Sequence, residues 1–392
     1  MKKTLLCLTL AGLLSACGGS DNDSGSNQNP PPSNQTTENY GTFLNSSVDN
    51  VSYETSSGIS GTLTEENKTF KYQSGDKVQF SISGVQIGGL VTAQDNISPA
   101  DLFTDETAQK NLLSFIDALD SDPDTDGVQI SDEILEKLKN IPSITFDQPF
   151  ENFSTQISET NLLNDQVLVS PDEIVIKQQQ VFYKDIAGTW QLHENNSVAV
   201  IHILTNGNYI LGQASPKDAE SEAGIELGSL LWNPLNNSFE PTITHDTNGT
   251  AGLSHASDGK PYTLSSDGTY LILHEPGANS TYKLTRVKQS SGLVGTWKFS
   301  ETQLFAFFDN NYYFFLDGEG GDDCGWAGIE YGKLSITANT LTPTEVLYDT
   351  NECSGLQDSW DGSKVNATYS ISGTSLTLHP QGEDPVTLQR SN

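Results

Sequence analysis

Short segments in which apolar and polar residues alternate recur along most of the chain. A clear case is Val78, Phe80 and Ile82, which are separated by single polar residues. Alternation with a period of two places the apolar side chains on one face of a strand. Glycine, asparagine and aspartate lie between many of the segments, where turns between strands favour them. The pattern therefore predicts a mainly β protein.

The period changes to that of a helix within about residues 99–140. Pro99 occupies a position that the first turn of a helix tolerates, and apolar residues then recur at helical spacing. These residues are Leu112, Leu113, Phe115, Ile116 and Leu119 and, in a second segment, Ile134, Leu135 and Leu138. We predict that residues 40–146 form a β-sandwich that contains this helical insertion.

Residues 185–392 contain the same sequence blocks twice. Ile-Ala-Gly-Thr-Trp at residues 186–190 returns as Leu-Val-Gly-Thr-Trp at 293–297, and Gly-Ile-Glu at 224–226 returns at 328–330. Five such blocks recur in the same order, about 105 residues apart. Because chance rarely preserves both order and spacing, we predict a tandem duplication.

The duplicated region accounts for two further domains. We predict a small antiparallel β-barrel or meander at residues 185–290 and a second one at 291–392, because short alternating segments separated by turns are typical of such folds. Residues 147–184 are predicted to connect the sandwich to the first copy. The predicted fold is thus a sandwich followed by two tandem barrels.

Each copy begins with a Gly-x-Trp segment and ends with an arginine. The residues are Gly188, Trp190 and Arg286 in the first copy and Gly295, Trp297 and Arg390 in the second. This pattern resembles the lipocalin-like barrels of the calycin group. The resemblance implies that the arginine packs across the tryptophan and closes one end of the barrel. Two alternatives stay open for the interior, which is either filled by side chains or wide enough for a ligand.

Residues 41–146 contain a series of motifs, SxVxxVxY, a glycine, and FxYxxGDxVxFxIxGxxIG. This order resembles a module of secreted and lipid-anchored bacterial surface proteins, some of which are adhesin-like. The resemblance implies an extracytoplasmic structural or binding module with no known chemistry.

The amino terminus differs from the rest of the chain. Two lysines precede an apolar run at residues 4–14, which is too short to span a bilayer and is typical of an export signal. Leu-Ser-Ala-Cys at residues 14–17 resembles the bacterial lipobox. The resemblance implies a lipoprotein signal peptide at 1–16, cleavage before Cys17 and lipidation of its thiol. Because Gly18 and not an aspartate follows the cysteine, the family rule favours the outer membrane.

Residues 17–39 contain almost no apolar side chains and include three consecutive prolines. A segment of this composition cannot bury enough apolar surface to offset its conformational entropy. We predict a disordered tether with a reach of roughly 25–30 Å. The folded part is then held away from the outer membrane, either at the cell surface or in the periplasm.

The charge of the chain excludes one class of partner. Fifty-one acidic and 19 basic residues give a formal charge of −32. Phosphate binding requires lysine and arginine, so we predict no nucleic-acid partner. We predict that the protein contacts the membrane through its lipid anchor.

Cys324 and Cys353 are the only thiols left in the predicted mature chain, because Cys7 leaves with the signal and Cys17 is lipidated. In an oxidising compartment, two isolated cysteines about 30 residues apart favour a disulfide. A catalytic cysteine is the alternative, but neither position has a nearby histidine or a nucleophile motif. We therefore predict a disulfide between Cys324 and Cys353.

The loop before the second predicted helix is rich in carboxylates. Counted from Asp122, the ligand positions of an EF-hand calcium loop fall on Asp122, Asp124, Asp126 and Glu133, with Gly127 at the sixth position. The eighth position is not aliphatic, a proline lies among the ligands, and no second loop follows. The alternative is a solvated acidic turn that caps the next helix. Both interpretations stay open, and calcium is the only candidate cofactor.

No Ser-His-Asp context, zinc motif or glycine-rich phosphate loop is present, so we predict no enzymatic activity. The first hypothesis is a lipid-anchored protein that binds a protein or glycan partner, with Trp232, Trp326 and Trp360 either in the contact surface or in the core. The second is a calycin-like carrier of a small apolar ligand. No sequence pattern predicts an oligomeric state.

Overall fold

The computed structural model describes residues 38–391, except 45–47, 123–126, 164–165, 195–196, 215–221, 257–258, 267–268, 321–324 and 359–360. The predicted signal peptide, Cys17 and most of the predicted tether lie outside the described residues. Within the described part, the chain is mainly β, with 24 strands and five helices.

Two small sheets come first in the chain. Their strands are β1 Glu38–Phe43, β2 Val51–Thr55, β3 Ser60–Thr62, β4 Thr69–Gln73, β5 Lys77–Ile82, β6 Val85–Thr92 and β7 Asn96–Ile97. One sheet has the order β4-β1-β7 and the other β3-β2-β5-β6. Phe43 and Phe70 of the first sheet contact Phe80 of the second, with ring centroids 4.6 and 5.3 Å apart. The two sheets therefore share one core.

Strand β5 shows the predicted alternation directly. Val78, Phe80 and Ile82 are completely buried, whereas the residues between them are partly exposed. Burial of these three side chains contributes roughly 1.5–3 kcal/mol each. The hydrophobic period of the sequence therefore identifies the inner face of this sheet.

The helices are α1 Pro99–Leu102, α2 Glu106–Ala118, α3 Asp132–Leu138, α4 Phe150–Glu159 and α5 Pro171–Ile186. The first three lie where the helical period was predicted. Helix α4 lies within the predicted connector, and α5 begins in it and ends two residues beyond its predicted end. Helix α4 buries Phe153 and Ile157, which are four positions apart, against the core of the two small sheets. The connector is therefore a packed part of the fold.

Helix α5 leads into the next sheet. Ser170 precedes it, Pro171 occupies its first turn, and acidic residues follow, as is favourable at a helix N-terminus. Near its end, the Tyr183 hydroxyl accepts a hydrogen bond from the Trp232 backbone N–H at 2.8 Å. Earlier in the helix, Lys177 forms an ion pair with Asp117 of α2 at 2.7 Å. The helix thus joins the amino-terminal sheets to the following sheet.

The following sheet has nine strands and curls round on itself. The strands are β8 Gly188–Glu194, β9 Ser197–Ile203, β10 Asn208–Ala214, β11 Gly224–Ser229, β12 Ser238–Phe239, β13 Thr242–Asp246, β14 Tyr262–Ser266, β15 Tyr270–Glu275 and β16 Ser280–Arg286. Their order is β12-β14-β15-β16-β8-β9-β10-β11-β13. The edge strands β12 and β13 are separated by only Glu240 and Pro241, so the two edges must lie close together. We call this sheet the curled sheet.

The last eight strands form a closed barrel. They are β17 Gly295–Lys298, β18 Gln303–Phe307, β19 Tyr312–Asp317, β20 Gly328–Ile336, β21 Thr340–Asp349, β22 Ala367–Ser372, β23 Ser375–Pro380 and β24 Val386–Ser391. Strand β21 is continuous and pairs with β20 on one side and β22 on the other, which closes the ring.

The curled sheet and the closed barrel pack against each other through their outer faces. Buried side chains of β9 and β10 join those of β18 to β20 in one cluster. Gly212 of β10 is essential to this approach, because a Cβ there would lie 2.2 Å from Leu316 Cδ2. A larger residue at this position would force the two units apart.

His202 is a buried polar residue on this packed face of β9. Its Nδ1 lies 2.9 Å from the Thr189 hydroxyl, and its side chain is almost completely buried. Burial, together with the nearby positive charge of Lys298, lowers the pKa of His202 to about 4. The imidazole is therefore neutral in the folded protein near neutral pH.

This pKa predicts an acid-dependent loss of stability. As the pH falls below about 6.5, the unfolded chain binds a proton at His202 that the folded chain binds only near pH 4. Wild type should lose about 3 kcal/mol more unfolding free energy between pH 7.5 and 4 than His202→Gln. Urea denaturation at each pH measures this difference, with exposed His379→Gln as the control. If the unfolding free energies of wild type and His202→Gln changed equally with pH, the lowered pKa of His202 would be contradicted.

Candidate ligand-binding cavity

An arginine lies over a tryptophan at one end of both the curled sheet and the closed barrel. The Arg286 guanidinium lies 4.2 Å from the Trp190 ring centroid, and that of Arg390 lies 4.0 Å from Trp297. Both indole N–H groups donate to a backbone carbonyl four residues earlier, at 2.8 and 2.7 Å. The arginines also donate to carbonyls of the preceding segments, at 2.7 Å for Ala187 and 2.8 Å for Gly292.

Gly295 shows why the Gly-x-Trp segment begins with glycine. Its φ of +140° is a conformation that other residues rarely adopt, and a Cβ would lie 2.3 Å from Gln289 Oε1 and 2.9 Å from Arg390 Nη1. The glycine therefore allows the arginine to lie close to the backbone. Gly188 also has a positive φ.

Each unit also contains a buried glutamate, Glu226 in β11 and Glu330 in β20. Glu330 accepts hydrogen bonds from the Tyr313 hydroxyl at 2.6 Å and from the backbone N–H groups of Leu356 and Gln357, both at 2.9 Å. Burial raises the pKa of Glu330 to about 7, although these three hydrogen bonds act in the opposite direction. The carboxylate ties the loop after β21 to the barrel wall.

Glu226 makes the same set of contacts in the curled sheet. It accepts from the Tyr209 hydroxyl at 2.7 Å and from the N–H groups of Leu253 and Ser254 at 2.9 and 3.1 Å. Neither glutamate was identified as a site residue from the sequence. The sequence did mark them, because each copy of the repeated Gly-Ile-Glu block ends in one of these two glutamates.

The curled sheet surrounds a cavity of about 530 Å³. This volume lies in the range of about 300–1,000 Å³ that is usual for small-molecule sites. The lining is largely aliphatic and includes Ile201, Ile203, Leu211, Leu230, Leu253, Leu264, Leu271, Leu273 and Leu284. The polar lining residues are Gln213, Thr250, His255, Tyr262, Glu275 and Tyr282. Such a cavity can hold an apolar molecule that carries a polar group.

The side chains at matching strand positions explain why the closed barrel differs here. In the curled sheet, Ile201 pairs with Leu211 and Ile203 with Tyr209. In the closed barrel, Phe305 pairs with Phe315 and Phe307 with Tyr313. Three inward aliphatic residues are thus replaced by phenylalanines at matching places.

The phenylalanines of the closed barrel pack on one another. The Phe305 ring stacks on Phe315 with centroids 4.3 Å apart, and on Phe307 at 5.5 Å. They belong to one core cluster with Trp297 and Tyr313. These rings occupy the part of the barrel interior that corresponds to the cavity of the curled sheet.

One group of residues near the cavity is spaced closely enough to hold a metal ion. Possible ligand atoms of Glu226, Asp246 and His255 lie within 4.8 Å of one another. Hydrogen bonds already account for this arrangement, because the Ser254 hydroxyl lies 2.7 Å from His255 Nδ1 and donates to Asp246 at 3.3 Å. The cluster therefore gives no independent indication of a metal.

The predicted calcium loop is only partly described, because Asp124 and Asp126 lie outside the described residues. Glu133 forms an ion pair with Lys137 at 2.9 Å, within α3. The Ser131 hydroxyl accepts from the Ile134 N–H at 3.4 Å, at the start of the same helix. These contacts are those of the helix-capping alternative, while calcium binding, which Asp122 would share, stays a prediction.

The tryptophans of the predicted contact surface differ in their exposure to solvent. Trp232 is buried and stacks on Phe182 with ring centroids 4.0 Å apart, so it belongs to the core. Trp326 is 62 % exposed. Trp360 lies outside the described residues, as does Cys324, so the disulfide with Cys353 stays a prediction.

No family model matches the chain, and no curated protein is significantly similar to it in sequence. Among the residues that the structure describes, no helix has the length and the apolar character that a membrane span requires.

The contacts of Glu330 predict the effect of removing its tyrosine partner. Tyr313→Phe removes a hydrogen bond to a buried carboxylate, which is worth about 1.5–3 kcal/mol. The control is Tyr369→Phe, whose exposed hydroxyl donates to the Thr337 carbonyl at 3.3 Å, and which should cost less than about 1 kcal/mol. Chemical denaturation measures both variants. Equal stability of the two would show that Glu330 does not depend on Tyr313.

Proposed function

We propose that this chain is a lipid-anchored protein of the bacterial outer membrane that binds a small apolar ligand without catalysis. The observation that carries the proposal is the largely aliphatic cavity of the curled sheet. Burial of an apolar ligand there would contribute about 25 cal/mol of favourable free energy per Å² of apolar surface removed from water. The site is thus suited to carry or capture a ligand, which agrees with the lipocalin-like resemblance.

We propose further that the curled sheet and the closed barrel are two copies of one duplicated barrel. The Arg–Trp stack and the buried Glu–Tyr pair occur in both, with the same partners in corresponding strands. In this interpretation, the first copy keeps an open interior and the second has become a filled structural unit. The two small amino-terminal sheets, with their shared core, are proposed to act as a sandwich-like spacer module.

The anchor is supported by the sequence alone. The lipobox-like segment ends at Cys17, and a polar segment follows before β1 begins at Glu38. Two or more acyl chains would hold the protein stably in the membrane, whereas one alone holds it only marginally. The cavity would then lie close to the outer membrane.

A protein or glycan partner is the second candidate function. It is favoured by the exposed side chain of Trp326, because aromatic residues are enriched in contact surfaces. This candidate does not require the cavity.

Filling the cavity tests the main proposal. Leu211→Phe introduces the side chain that the closed barrel carries as Phe315, so it should weaken binding of the neutral fluorescent probe N-phenyl-1-naphthylamine at least tenfold. Leu211→Met conserves volume and should retain binding. Fluorescence titration of the full chain measures both variants.

Ile201→Phe, which corresponds to Phe305, provides a second blocked variant if Leu211→Phe does not fold. The absence of probe binding to wild type would contradict the proposed function. Equal binding to wild type and to a folded blocked variant would place the probe elsewhere and would also contradict it.

The anchor has its own test. Cys17→Ser removes the thiol that would be lipidated, so the protein should move from the membrane fraction to the soluble fraction. Immunoblotting of fractionated cells measures the distribution, and Cys7→Ser is the control because Cys7 lies within the predicted signal peptide. Retention of Cys17→Ser in membranes would show that another feature holds the protein there.

A further inference from the structure

We infer that the cavity of the curled sheet selects apolar molecules with a cationic amine head and rejects anionic ones such as fatty acids. This inference rests on the proposed function, since it specifies the ligand of the same cavity. It follows from the polar residues of the lining and from what replaces them in the closed barrel.

The first observation is a buried carboxylate in an aliphatic lining. Glu275 is only 7 % exposed, at the end of β15, and it lines the cavity together with leucines from β14, β15 and β16. The Tyr282 hydroxyl donates to its Oε2 at 3.3 Å. Burial of a carboxylate costs free energy unless charge or hydrogen bonds compensate it. A ligand ammonium group would add such compensation.

The second observation is the sign of charge around the cavity. Among the described residues that line it, none is lysine or arginine. Burial raises the pKa of Tyr262, and the negative charges of Glu275 and Glu226 raise it further. Two carboxylates therefore act on the same polar end. A bound anion would be repelled there, whereas a cation would be attracted.

The third observation comes from the closed barrel. Leu264 pairs with Leu273 in the curled sheet, as Tyr369 pairs with Leu378 in the closed barrel. Tyr262 lies two residues before Leu264, and Glu275 lies two residues after Leu273. The residues at the matching positions of the closed barrel are Ala367 and Pro380, which pair with each other. The polar pair Tyr262 and Glu275 is thus present beside the cavity. It is absent from the matching place in the closed barrel, where phenylalanines fill the interior. The closed barrel forms without this pair.

Three probes with the same apolar chain test the selectivity. Decylamine, decanol and decanoate differ only in the head group, and the amine is cationic at pH 7.5 because its pKa lies near that of lysine. Decylamine and decanoate should be titrated below their micelle concentrations, and decanol below its solubility limit, against full-length protein that holds N-phenyl-1-naphthylamine. Displacement of this probe reports on the cavity and not on amine bound to the acidic surface.

We expect decylamine to displace the probe at least tenfold more effectively than decanoate, with decanol between them. Glu275→Gln removes the charge and preserves the side-chain shape, so it should reduce this ratio to less than threefold. Glu383 is exposed, so Glu383→Gln changes the net charge by the same amount as Glu275→Gln but should leave the ratio as in wild type. Should Glu275→Gln fail to fold, the order of the three probes on wild type still decides the question.

The outcomes separate the two proposals. If decanol displaces the probe but decanoate does so as well as decylamine, the selectivity is wrong and the apolar site stands. An unchanged ratio in folded Glu275→Gln would likewise remove Glu275 from the explanation. If the probe does not bind to wild type, or none of the three displaces it, the proposed function itself fails.

Discussion

The interior of a small barrel is either filled by its own side chains or left open for a ligand, and this choice decides what each half of the carboxyl-terminal region can do. An eight-stranded barrel is just wide enough for its inward side chains to meet, so a few of them determine whether it becomes a core or a container. Phe305, Phe307 and Phe315 meet across the closed barrel. Ile201 and Leu211 are shorter and leave the cavity of the curled sheet.

The ends and outer faces of the two units are fixed by other interactions, which lets the interiors differ. Stacked Arg–Trp pairs hold one end of each unit, and buried Glu–Tyr pairs hold the loops after β13 and β21. Strand β21 runs without interruption, whereas its counterpart is divided into β12 and β13 around Glu240 and Pro241. The curled sheet is therefore held in shape although it is not a continuous ring.

Local patterns predicted much of this fold, because burial on one face leaves a periodic signal. Val78, Phe80 and Ile82 gave the inner face of β5, and the helices of the insertion lie where their period changes. Helix α4 was missed because only a short apolar set, Phe153 and Ile157, marks it. Helix α5 was missed although Ser170, Pro171 and the acidic residues after them form a helix-start signal. The cavity could not be predicted, because it depends on strand register and on how far the sheet curls. Both are set by contacts between residues distant in sequence.

The central claim is that the curled sheet is hollow where the closed barrel is filled. Apolar cavities in proteins bind xenon, so diffraction from crystals of the protein under xenon pressure tests the claim directly. The account predicts xenon inside the curled sheet near Leu211 and Leu271, and none among Phe305, Phe307 and Phe315. A curled sheet without xenon, or equal occupancy in both interiors, would contradict it.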